Sequence, residues 1–82
     1  MSILDWKGVA LIIGTGDIGN YITDYLTTNA PDLDVFCCGR NLNSKRGIYL
    51  DLEEDDSFIS FEKQISLIKR PIRLVINTSG FL

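Results

Sequence analysis

The chain contains no histidine, and its two cysteines, Cys37 and Cys38, are adjacent. Adjacent thiols exclude a disulfide framework. Without histidine, the donor set of a structural zinc site is missing as well. No apolar run approaches the roughly 18 residues that span a bilayer. The amino terminus carries Asp5 and Lys7 around Trp6 and has no long apolar centre, so it does not read as a signal peptide. Basic residues are few: 8 Lys+Arg against 11 Asp+Glu leave a net charge of −3. That balance argues against a broad nucleic-acid surface. What is present is an ordinary globular composition, 45% hydrophobic and 23% charged over 82 residues. The expectation is one soluble, cytoplasmic domain over residues 1–82, with neither nucleic acid nor membrane as partner.

Gly8 to Gly14 is a continuous apolar run ended by glycine, the pattern of a strand buried on both faces in a parallel sheet. Ile18, Ile22, Tyr25 and Leu26 then recur at helical spacing, and Asn29-Ala30-Pro31 stops that helix. Leu33 to Gly39 reads as a second buried strand, whose Cys37 and Cys38 face opposite helix layers as core thiols. Ile48-Tyr49-Leu50 is a short third strand. Asp55, Asp56 and Ser57 offer caps for a second helix, whose apolar face runs through Phe58, Phe61, Ile65 and Ile68. Pro71 ends it, and Ile72 to Asn77 is a fourth strand. Trp6 is expected to cover the bottom of the sheet. The order β-α-β-β-α-β, with right-handed crossovers, predicts an α/β, Rossmann-type half with parallel strand order 3-2-1-4. Ligands of such sheets bind at the carboxyl ends of the strands, where the strand order reverses.

Gly14-Thr15-Gly16-Asp17-Ile18-Gly19 is G-x-G-x-x-G, set directly between the first strand and the first helix. In that context Gly14 permits the tight turn, Gly16 admits a pyrophosphate to the backbone, and Gly19 lets the helix approach the strand. The unpaired N–H groups of the helix start then face the phosphates. A carboxylate at Asp17 would compete for the same N–H groups, and it is expected to turn to solvent as a cap. NAD binders carry an acid about 20 residues further on, for the ribose 2′-hydroxyl. Here that strand end is Gly39-Arg40, with Lys45 and Arg46 nearby and no acid. Arginine offers a planar, permanently charged fork to a 2′-phosphate, so NADP(H) is expected over NAD(H). Glu53 to Asp56 reads as a solvated helix start rather than a metal cluster.

From about Gly8 onward, these segments resemble the first half of the short-chain dehydrogenase/reductase family. The glycine turn is similar to the family's T-G-x-x-x-G-x-G, although it is one residue shorter and carries Asp17 where small or basic residues are usual. Cys38-Gly39-Arg40-Asn41 resembles the family's NADP-preferring strand end. Asp51-Leu52 resembles its adenine-contacting acid and the residue after it. Asn77-Thr78-Ser79-Gly80 is similar to its N-N-A-G, with Thr78 and Ser79 replacing Asn and Ala. The resemblance implies that Asp51 bonds the adenine amino group and that Asn77 ties the fourth strand to the sheet. It also implies that Ser79 and Gly80 pass close to the adenosine ribose.

The family's catalytic Tyr-x-x-x-Lys does not occur in these residues. Tyr21, Tyr25 and Tyr49 are followed four positions later by Tyr25, Asn29 and Glu53. The chain is therefore expected to hold a cofactor without performing the family's proton transfer. Two other readings stand beside this one: a non-enzymatic nucleotide-sensing module, and a ligand-free relic of a truncated frame. On the reductase reading, residues 1–82 are a truncated dinucleotide-binding domain. Its fourth strand is expected to pair with a second copy or a missing carboxyl-terminal half.

Overall fold

The computed structural model describes residues 2–40 and 47–79. A short 3₁₀ turn over Ile3–Asp5 leads into β1 (Gly8–Ile13), α1 (Asp17–Asn29), β2 (Leu33–Gly39), β3 (Gly47–Tyr49), α2 (Asp55–Ser66) and β4 (Ile72–Asn77). The four strands form one sheet in the order β3-β2-β1-β4, and each neighbouring pair is parallel. This is the α/β, 3-2-1-4 arrangement that the element order implies. The third strand lies one residue earlier than the apolar triplet Ile48 to Leu50. Pairing with β2 begins at Gly47 opposite Cys37, and Leu50 only donates its N–H to Gly39 O.

Alternation along β1 divides the core into two layers. Ala10 and Ile12 join Leu26, Ala30, Leu33 and Val35 beneath α1, where half-buried Leu4 and Trp6 also pack. Val9 and Leu11 join Cys38, Ile48 and Leu50 on the opposite face, against Phe61, Ile65 and Ile68. Both faces of β1 are thus covered, which is why its sequence is a continuous apolar run. Cys37 faces the α1 layer and donates to Gly14 O at 3.5 Å.

The helix faces depart from the sequence pattern. The buried residues of α1 are Gly19, Thr23 and Leu26, whereas Ile18 and Tyr25 are exposed. The cause lies at the start of the helix. A methyl group on Gly19 would come within 2.1 Å of Gly14 O, so the first turn sits directly on the strand-end loop. That contact rotates the small residues inward. Thr23 is tolerated there because its hydroxyl donates to Gly19 O at 2.8 Å. In α2 the cap is Glu54, which makes no side-chain cap bond, and none of Asp55, Asp56 and Ser57 serves as the cap. Ser57 is instead buried in the first turn, accepting from Asp51 N–H at 3.0 Å and donating to the carbonyls of Asp51 and Glu54. Phe58 is exposed, while Phe61 and Ile65 carry the packing.

At the amino end of the sheet, Arg70 clamps the approach to β4 onto β2 through the Asp34 carboxylate and Asp32 O. In β4, Leu74 and Ile76 pack on the α1 layer, while Ile72 and Val75 are exposed. Among the described residues no helix is long and apolar enough to cross a membrane.

Candidate functional site

The carboxyl ends of the strands are tied together by backbone bonds. Gly14 N–H donates to Cys38 O at 2.8 Å, and Thr78 N–H donates to Ile13 O at 2.7 Å. The Thr78 hydroxyl donates to the same oxygen at 3.0 Å. These bonds join β1 to β2 on one side and to β4 on the other. Gly14 turns the chain away from β1 with φ +122°, a conformation that side chains rarely allow. Thr15 then lies over Gly39, where a methyl group would meet Thr15 Cγ2 at 2.6 Å. Asn20 holds the turn from behind by donating to Thr15 O at 3.1 Å. Its role as a brace has no signal in the sequence.

Above these ties lies a cleft of about 370 Å³. Gly14, Thr15 and Gly16 form one wall, Thr78 and Ser79 a second, and Arg40 stands at the end of β2. Asp51, Leu52 and Glu53 form the third wall, and Ile13, Cys38 and Leu50 supply apolar surface beneath. Eight of the residues singled out from the sequence therefore meet around one space: Gly14, Thr15, Gly16, Arg40, Asp51, Leu52, Thr78 and Ser79. The others do not line it. Gly19 and Gly39 are buried behind the turn, and Asp17 and Ile18 are exposed on α1. Asn77 is exposed, and its Oδ1 accepts the Ser79 N–H at 2.9 Å. The Thr78 hydroxyl supplies a side-chain tie between the end of β4 and β1. Asn41, Lys45, Arg46 and Gly80 lie outside the described residues.

Asp17 turns to solvent but caps nothing, because the cap position is Gly16. A glycine cap has no side-chain acceptor, so the first N–H groups of α1 keep no partner from within the helix. The third wall is a pinned turn. Asp51 Oδ1 accepts Glu53 N–H at 3.0 Å, and Glu54 N–H donates to Asp51 O at 3.1 Å. Glu53 is the lining residue that sequence reasoning missed, because consecutive acids before a helix read as a solvated face. Beside it, desolvation and then the Glu54 and Asp51 carboxylates push the Tyr49 phenol above its ordinary pKa, while Arg40 pulls it down. Burial, with a smaller contribution from Cys37, pushes the Cys38 thiol up to about 12. That thiol is therefore core surface and not a nucleophile. Among the described residues no cluster of acids and thiols is placed to hold a metal ion.

No family model, curated protein or solved structure matches this chain. Its functional reading rests on the cleft.

The three glycines of the turn are not equivalent, and the difference tests whether a pyrophosphate fits. A side chain at Gly14 or Gly19 would strike the protein itself, at 2.3 Å from Thr78 Oγ1 and 2.1 Å from Gly14 O. At Gly16 a methyl group meets nothing within 4 Å, and the backbone there is extended with φ −79°. Nothing in the fold requires glycine at that position. A group lying against the turn would. The helix N–H groups, the open face of Gly16 and the adjoining cleft fit an anionic ligand with a planar, partly apolar body.

Proposed function

We propose that the chain binds an NADP(H)-type dinucleotide, as the amino-terminal cofactor-binding part of a short-chain dehydrogenase/reductase-like oxidoreductase. The observation that carries this reading is Gly16, a glycine on the cleft wall with open space where its side chain would be. The bound nicotinamide would supply hydride transfer to or from a carbonyl or alcohol. This chain's own part is to hold the other end of the cofactor. Thr15, Gly16 and the start of α1 offer N–H groups to the pyrophosphate. Arg40 faces the 2′-phosphate as a charged fork, and Asp51 accepts from the adenine amino group. Ser79 passes the adenosine ribose, and Gly80 is assigned the same role by sequence. The absence of Tyr-x-x-x-Lys from these residues leaves the proton-transfer step unassigned to any of them.

Fluorescence or calorimetric titration of the chain with NADPH, and with NADH alongside, tests the reading. Saturable binding that is tighter for NADPH is expected, and Arg40→Ala should reduce the NADPH/NADH affinity ratio about tenfold, as for loss of one charge-assisted contact. If neither cofactor binds at millimolar concentration, the proposal fails. If Arg40→Ala leaves the ratio unchanged, the preference for NADP(H) fails while dinucleotide binding stands.

A further inference from the structure

Three carboxylates, Asp51, Glu53 and Glu54, stand in the turn between β3 and α2. Asp51 Oδ1 accepts the Glu53 N–H at 3.0 Å, and the Glu54 carboxylate helps to raise the pKa of the Tyr49 phenol. Glu53 lines the cleft, is exposed, and its carboxylate has no hydrogen bond or ion pair among the described residues. It sits just before the start of α2. Arg40 lines the same cleft, is likewise exposed, and makes no ion pair among the described residues. Among the described residues, Arg40 and Glu53 thus stand in the cleft as a cation and an anion without an ion pair, in addition to Asp51.

We propose that Glu53 is a specificity residue whose charge opposes Arg40 and weakens binding of a 2′-phosphorylated ribose. This rests on the dinucleotide reading above. A phosphate monoester carries about −1.5 to −2 charges at neutral pH, and that group is the whole difference between NADPH and NADH. A carboxylate at Glu53, beside that of Asp51 on the same wall, therefore penalises NADPH selectively, and the NADPH/NADH ratio isolates the penalty.

The test compares the unmodified chain, Glu53→Gln and Glu62→Gln in titrations with NADPH and NADH. Glu62 is exposed on α2 and outside the cleft lining, so it controls for net charge. Glu53→Gln should raise NADPH affinity roughly 1.5- to fivefold with NADH nearly unchanged, as for one exposed charge pair. The gain should shrink when salt is raised to about 0.5 M. Binding of both cofactors with an unchanged ratio overturns the role of Glu53 and leaves the dinucleotide reading intact. A ratio that rises only because NADH weakens also overturns it, since Glu53 would then be a ribose-hydroxyl acceptor. An equal gain from Glu62→Gln overturns it as a general field effect. Failure of every variant to bind either cofactor overturns both proposals together.

Discussion

At Gly14 an added methyl group would meet Thr78 Oγ1 at 2.3 Å on a backbone with φ +122°, so both sterics and conformation oppose it. Gly14→Ala should lower stability by about 1–3 kcal/mol, read from the urea midpoint. Gly16→Ala should behave differently. Its methyl group has open space and an ordinary backbone, so stability should fall only by about 0.5–1 kcal/mol, the cost of alanine in place of glycine at a helix cap. NADPH affinity should nevertheless fall at least about tenfold, because the methyl group stands where the pyrophosphate approaches. Equal binding by Gly16→Ala and the unmodified chain would remove the main support for a ligand at this turn. The sequence spacing made all three glycines legible as one motif. It also gave each glycine its own role; the structure adds what a side chain would strike at Gly14 and at Gly19, namely Thr78 and Gly14's own carbonyl. Glu53 and Asn20 were illegible in the sequence. A polar residue near a helix start reads as solvated until another segment is folded against it.

On α1, the residues that matter for stability are the small ones and Leu26, not the largest. Leu26 is 5% exposed and belongs to the core cluster, whereas Tyr21 is 71% exposed. Leu26→Ala should cost about 2–5 kcal/mol by opening a cavity, while Tyr21→Ala should stay within about 0.5 kcal/mol. Denaturant unfolding of the two variants measures both. Apolar spacing located the helix and its end correctly, since Pro31 follows soon after Asn29. Half of the stripe Ile18–Ile22–Tyr25–Leu26 holds: Ile22 and Leu26 pack on the core while Ile18 and Tyr25 are exposed, because hydrophobicity does not record how closely a helix approaches its sheet. Contact between Gly19 and Gly14 O set that distance. In β2 no such competition arises, and Leu33 to Gly39 forms the strand over the span that its apolar run marks out.

For the molecule as a whole, alkaline pH exposes the balance of the core. Cys38 is raised to about 12 by burial, against roughly 8.5 for an unfolded thiol. The folded chain thus holds a proton that the unfolded chain releases, so stability falls as pH rises. Cys38's contribution is fully present below the unfolded value and is lost progressively between about 8.5 and 12. Tyr49, also raised, acts in the same direction at the upper end. Thermal melts from pH 8 to 11 should show a falling midpoint, and Cys38→Ala should flatten the decline over the lower part of that window. A midpoint that is flat in the unmodified chain would contradict this burial. The sequence by itself determined the element order, and with it the 3-2-1-4 sheet. Continuous apolar strands, stop signals and right-handed crossovers leave few other ways to cover β1 on both faces. Only the tertiary structure decided which residues of α1 are buried and that Glu53 joins Asp51 in the cleft. Each of those is a distance between segments remote in sequence, and no local pattern of residues encodes it.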